Sequence, residues 1–228
     1  MSAFDQNRFD DFILENGIIG FHEQPVKFKS GRMCNCYVNW RTAAEDVYLI
    51  DQLTDFVLSF VIGHQLPVDT FYGVPEGATK LGVLTQYKWA KSQKTFSKGS
   101  HTLAMGRGKE KDHGDPKDKS FLAMPKGRVV VLEDVTTTGG SLIKTIDSLK
   151  ALNVDIVAAI ALTNRNELTD DKKNVADILT SKGVPYFAMS NLLTLLPKLC
   201  SQHTQTPEIL TATETYFKTY GTQPLSLK

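Results

Sequence analysis

Cysteine is scarce in this chain. Three residues, an odd number, do not make a disulfide framework and favour a reducing compartment. No apolar run is long enough to cross a bilayer. The opening Met1-Ser2-Ala3-Phe4-Asp5-Gln6 has neither a basic nor an apolar leader region, so no signal peptide is expected. Neither sign of charge dominates, with 26 Lys+Arg against 25 Asp+Glu and a formal net charge of +1. A partner such as nucleic acid or an anionic membrane calls for a field of one sign, so neither is expected. Internal repeats, low-complexity tracts and interdomain linkers are absent, as are GxGxxG and GxxxxGK. What remains is a cytoplasmic globular chain of 228 residues, enough to bury one full core.

The elements alternate. Ser2 to about Asn16 carries Phe4, Phe9, Phe12 and Ile13 at roughly helical spacing, and Thr42 to His64 reads as one long helix. Phe28 to Tyr37 reads as a turn between short strands, around Ser30-Gly31-Arg32. From Thr70 a strand–turn–helix rhythm takes over. Strands are expected at Thr70–Gly73, His101–Met105, Arg128–Leu132 and Asp155–Leu162, and helices at Thr79–Ala90, Ser141–Leu152 and Thr169–Ser181. After Pro185, Leu192–Leu199 is apolar and Pro207–Tyr220 reads as a final helix. Strands that are continuous apolar runs between helices imply an α/β fold with a mostly parallel sheet covered on both faces. Right-handed crossovers then gather the strand-to-helix loops on one edge, where ligands bind.

One segment carries most of the chemistry: Val129-Val130-Val131-Leu132-Glu133-Asp134-Val135-Thr136-Thr137-Thr138-Gly139-Gly140-Ser141. A buried strand delivers two carboxylates to the sheet edge, and a loop of hydroxyls and glycines then opens a helix. Free N–H groups at a helix start, close backbone approach at glycine, and hydroxyl donors together suit a phosphate. The carboxylates repel phosphate, so their plausible partners are a diol or a metal ion. A ribose 5-phosphate satisfies the whole segment; an ordinary acidic strand end with a Thr/Gly turn is the bland alternative.

The segment resembles the 5-phosphoribosyl 1-pyrophosphate (PRPP) signature of type I phosphoribosyltransferases. A second stretch, Arg107-Gly108-Lys109-Glu110-Lys111-Asp112-His113-Gly114, is similar to the Arg-Lys-x-x-Lys-Asp-His-Gly lid of orotate phosphoribosyltransferases. Read without the family, it is a glycine-rich charged loop, more often solvated than catalytic. Gly108 stands where the family has lysine. Phe28-Lys29-Ser30-Gly31-Arg32 resembles the family's Leu-Lys-Ser-Gly-Arg segment, but its continuation Met33-Cys34-Asn35-Cys36-Tyr37 departs from Ser-Pro-Tyr. Gly73-Val74-Pro75-Glu76-Gly77-Ala78 occupies the pyrophosphate-loop position, with Glu76 an unexpected anion. Thr163-Asn164-Arg165-Asn166-Glu167 ends a strand where the family has an Asp-Arg pair.

The resemblance implies a type I phosphoribosyltransferase fold: one domain over 1–228, its core at about 41–189 and a small hood from about 1–40 and 190–228. It implies transfer of the phosphoribosyl group of PRPP to orotate in pyrimidine (UMP) biosynthesis, giving orotidine 5′-monophosphate and pyrophosphate. Lys111, His113, Arg107 and Asp134 would be catalytic. PRPP would be bound by Lys29, Glu133, Asp134, Thr136, Thr137, Thr138, Gly139, Gly140, Ser141, Arg107, Lys111 and His113. Orotate would meet Lys29, Thr137 and Arg165; the structural alternative for Arg165 is a cap or surface ion pair. Mg²⁺ would be held mainly by PRPP rather than by protein ligands, and the lid would be shared across a homodimer. Another base, or a non-catalytic PRPP-sensing regulator, are the competing readings. Cys34 and Cys36 have no second cysteine pair or nearby histidine set and are read as inert; Cys200 is read as a small core residue.

Overall fold

The computed structural model describes residues 3–28, 31–109 and 120–227. Arg128–Thr136 (β6) and Asp155–Asn164 (β7) form its centre, pairing in parallel. Thr70–Gly73 (β3) adds to β6 and Tyr186–Asn191 (β8) adds to β7, both also parallel, in the order β3–β6–β7–β8. Val129, Val130, Val131 and Leu132 are all fully buried, which fits a strand covered on both faces.

Helix α4 (Thr79–Ser92) follows β3, α5 (Gly140–Ala151) follows β6, and α6 (Val175–Ser181) lies between β7 and β8. Leu142, Ile146 and Leu149 of α5 join Val129, Val131 and Ala159 in one apolar cluster. On the other face, Val130, Leu132 and Ile160 meet α3 (Val47–Gly63), α7 (Leu192–Gln202), α8 (Pro207–Tyr220) and α1 (Gln6–Glu15). The hairpin β1 (Ile19–Lys27) and β2 (Met33–Val38) pairs antiparallel apart from the main sheet. Trp40 ties this end to the sheet: Phe9 stacks on its ring at 5.8 Å, and its Nε1 donates to Thr163 Oγ1 at 3.0 Å.

Several expectations need correction. The helix expected over Thr42–His64 is two, α2 (Arg41–Glu45) and α3, because Asp46 turns extended and its carboxylate caps Tyr48 and Leu49 N–H. The strand expected at His101–Met105 shrinks to Met105–Gly106 (β4), paired antiparallel with Phe121–Ala123 (β5). The Thr102 carbonyl accepts from the Gln86 side chain at 2.8 Å. The helix expected from Thr169 starts at Val175, where Asn174 Oδ1 caps Asp177 N–H; Thr169 to Lys173 is a turn. β6 runs on through Glu133 and Asp134 to Thr136, because β7 continues to Asn164 and keeps the ladder occupied. Thr70–Gly73 and Pro207–Tyr220 stand as expected.

Candidate active site

A cleft of about 520 Å³ opens at the C-terminal ends of the parallel strands. One wall is the loop Thr137–Ser141 with the first two turns of α5; Tyr72, Pro75 and Phe28 lie around it, and Arg107, Gly108 and Ser120 form a rim. Its volume suits a small molecule. The loop turns at Gly139, where φ is +77° and a Cβ would come within 2.5 Å of Val175 Cγ2. Only glycine meets both demands. The first-turn N–H groups of α5 thereby face the cleft without a side-chain cap.

Strand alternation sorts the acidic segment. Glu133, Val135 and Thr137 line the cleft. Thr136 does not: it is 1% exposed and its hydroxyl lies 2.6 Å from Tyr186 OH. Its expected contact with PRPP is therefore corrected to a structural bond, because successive strand residues face opposite sides. Burial pushes the Tyr186 phenol upward, leaving it protonated. Asp134 is not part of the lining either. Its carboxylate lies against Gly77, where a Cβ would come within 2.4 Å of Oδ2, so a side chain at 77 would displace it.

The rim is tied at its base. Arg107 N–H donates to the Ser120 carbonyl at 2.9 Å, joining the described residues on either side of 110–119. Of the expected lid and base-contact residues, Lys111 and His113 lie outside the described residues, as does Lys29.

Arg165 is 2% exposed and does not line the cleft. Its Nε donates to Glu167 Oε1 at 2.8 Å, Nη1 donates to the Cys36 carbonyl at 3.3 Å, and Nη2 lies 3.6 Å from Cys36 Sγ. The guanidinium lies over the Phe28 ring, with Cζ 4.4 Å from its centroid. Its three nitrogens each have a protein partner, which engages three of the five N–H donors that the expected bidentate bond to orotate would draw on. Neither alternative, cap nor surface pair, describes it. Burial disfavours the Arg165 cation, but neighbouring Cys36 and Glu167 more than offset this and hold it charged. Glu167 also accepts from Arg32 Nη1 at 3.2 Å and Tyr216 OH at 2.7 Å. Arg32 reaches on to Asp170 and covers the Tyr220 ring at 4.4 Å.

Residues 83–188 match the phosphoribosyl transferase domain family. An orotate phosphoribosyltransferase of Rhodopseudomonas palustris (strain BisB5) is 30% identical over 162 residues, covering 68% of this chain and 80% of that protein. The chain belongs to the orotate phosphoribosyltransferase family. A second orotate phosphoribosyltransferase, from Polynucleobacter necessarius subsp. necessarius (strain STIR1), is 26% identical over 223 residues, covering 95% of this chain and 96% of its own. Among solved structures, the orotate phosphoribosyltransferase of Francisella tularensis superposes with a TM-score of 0.68 at 18% identity. It covers 97% of this chain and 98% of its own, a likeness of fold.

The cleft brings together Arg107, Glu133, Thr137, Thr138, Gly139, Gly140 and Ser141 of the residues named from the sequence. Sequence reasoning missed Lys144, Thr145 and Ser148 of α5, which also face it. The signal was available: 140, 144 and 148 recur every four residues along one helical face. Among the described residues, no three His, Cys, Asp or Glu side chains group to hold a metal ion. Also among them, no helix is long and apolar enough to cross a membrane.

Proposed function

We propose that this chain transfers the phosphoribosyl group of PRPP to N1 of orotate, with inversion at the anomeric carbon, releasing pyrophosphate and orotidine 5′-monophosphate for UMP synthesis. The observation that carries the reading is the α5 N-terminus and its Thr137–Ser141 loop facing one cleft with the Glu133 carboxylate. The 5′-phosphate sits on the loop's N–H and hydroxyl donors, where the helix dipole also favours an anion. Glu133 accepts from the ribose hydroxyls, and Asp134, beside the Gly77 backbone, supports the strand end where positive charge develops on the sugar. Arg107, Lys111 and His113 neutralise the departing pyrophosphate and exclude water as the lid closes. Lys29 and Thr137 meet the base. Mg²⁺ would be held mainly by PRPP rather than by protein side chains, and when bound would add to the neutralisation of the leaving group. Orotate is itself an anion with a usable nitrogen, so no covalent enzyme nucleophile is needed.

The functional unit we propose is a homodimer in which each lid serves its partner. Apolar side chains left exposed on α3 and α4, Val47 and Tyr48 on one and Leu84 and Tyr87 on the other, offer such a contact. Sedimentation should give twice the 25.3 kDa chain mass; a monomer at assay concentration overturns the dimer.

The reaction is tested by the loss of orotate absorbance on adding PRPP and Mg²⁺, with uracil, hypoxanthine and adenine in parallel. Turnover confined to orotate is expected. PRPP binding without turnover of any base would replace this reading with a sensor.

A further inference from the structure

We propose that Cys34 and Cys36 are a reversible modification site: the pair supplies a thiolate to the buried Arg165 cluster, and that thiolate reacts with low-molecular-weight disulfides to close a Cys34–Cys36 bond. This goes beyond the transferase reading and stands without it. Two observations carry it.

The first is placement. Both thiols are buried on one face of β2, where residues two apart project together, and their Sγ atoms lie 3.1 Å apart. Across from them β1 bulges. Phe21 pairs with Cys36 and Val26 with Cys34, so His22 to Pro25 lie opposite Asn35 alone. Asn35 Nδ2 bridges the gap by donating to the His22 carbonyl at 3.0 Å. β1 and β2 form a two-stranded sheet, and β1 is exposed along this stretch. A bulged, two-stranded edge opens locally and admits a small reagent.

The second is charge. Arg165 and Arg32 are buried cations that share one buried carboxylate, Glu167. Asp170, the other acid bonded to Arg32, has a side chain 98% exposed, so water screens it. A thiolate supplies the missing anion: Arg165 Nη2 lies 3.6 Å from Cys36 Sγ. The groups facing the thiols are Arg165 and Glu167 beyond β7 and Tyr216 of α8, whose hydroxyl donates to Glu167. The Cys36 hydrogen bond and the Arg165 cation pull the Cys34 thiol down to about 7. The bond to Cys34 and burial push Cys36 up, so the pair keeps one proton and one negative charge.

The disulfide reagent is the oxidant. The thiolate attacks one of its sulfurs, the S–S bond breaks and one thiolate leaves. Cys36 then loses its proton and attacks the Cys34 sulfur, expelling the reagent's second half. The protein gives up two electrons, and the reagent departs as one thiol and one thiolate. Closure discharges the anion beside Arg165, so the oxidised chain is the less stable form.

The test exposes the folded chain to oxidised glutathione, blocks remaining thiols with iodoacetamide and maps the cysteines by mass. Expected is a Cys34–Cys36 bond, about 2 Da lighter than the dithiol, with a lowered urea midpoint, both reversed by dithiothreitol. Cys36→Ser should stop with one glutathione on Cys34, and Cys34→Ser should leave Cys36 unreacted. Without oxidant, alkylation of Cys34 should rise with pH about a midpoint near 7. Arg165→Gln should move that midpoint up. Circular dichroism reports folding; should Arg165→Gln not fold, Arg165→Lys replaces it and should keep the low midpoint. Thiols that react only in urea overturn the site. A midpoint at about 8.5, the ordinary cysteine value, overturns the thiolate.

Discussion

Glu76 packs onto the backbone of Gly108. A Cβ built at 108 would meet Glu76 Oε1 and pass within 2.7 Å of Cγ. The two departures from the family pattern, an acid in the pyrophosphate loop and a glycine in the lid, thus occupy one space. The glycine leaves room where the acid needs it.

Coupling between these two positions follows. Gly108→Lys alone should lower kcat about tenfold, because the lid base cannot settle beside Glu76. Adding Glu76→Ala should recover most of the loss. A double-mutant cycle on kcat measures the interaction. Additive effects would show that the contact has no part in lid function.

Lys111 carries the clearest catalytic expectation. Its charge should matter most as pyrophosphate leaves, so Lys111→Ala should lower kcat on the order of 10²-fold while the dissociation constant of PRPP changes little. Steady-state kinetics with equilibrium PRPP titration separates the two. An equal loss in PRPP affinity with kcat unchanged would reduce Lys111 to a ground-state contact.

Glu167 should be a stability residue of the hood. Removing it leaves two buried guanidinium groups and the Tyr216 hydroxyl without their shared acceptor. Glu167→Ala should cost about 3–5 kcal/mol, as breaking buried pairs does. Tyr216→Phe removes one hydrogen bond to a charged group and should cost about 1.5–3 kcal/mol. Urea midpoints measure both. Near-neutral effects would mean that water enters the cluster.

Asp69 gives a pH signature. Its carboxylate takes Arg128 Nε at 2.8 Å, Nη2 at 2.9 Å and the Arg128 backbone N–H at 2.9 Å. The Arg128 hydrogen bonds pull its pKa from 3.8 down to about 2. A carboxylate held low in the folded chain stabilises fully above its unfolded value and loses that contribution as pH falls through its folded one. The stability gap between the unaltered chain and Asp69→Asn should therefore be constant above about pH 4 and close toward pH 2. A gap independent of pH would show that the charge is not what Asp69 contributes. The pair lies at the surface, so the effect should be small and salt-sensitive.

Local patterns determined much of this protein. The apolar run at Val129–Leu132 read as a buried strand, and the Thr/Gly loop after it as a helix-start anion site, because the first is set by burial and the second by backbone freedom at glycine. Pro207–Tyr220 was legible from its proline at the first helical turn and its periodicity. The strand Tyr186–Asn191 was not, since its mixed side chains show no clean alternation and its place comes from backbone pairing with β7. The start of α6 was hidden in the polar run Thr169–Asn174, where a single cap residue decides.

Tertiary structure alone decided which neighbours do what. Thr136 and Thr137 look alike in sequence, yet the strand's alternation sends one hydroxyl to Tyr186 and leaves the other at the cleft. Arg165 was legible as a guanidinium at a strand end, but not its cage. Cys36, Arg32 and Tyr216 lie 129, 133 and 51 residues from it, and only the packing of β2 and α8 over β7 brings their charges and hydroxyl together around Glu167. Electrostatic partnership depends on distance in space, which no local pattern in a single chain records.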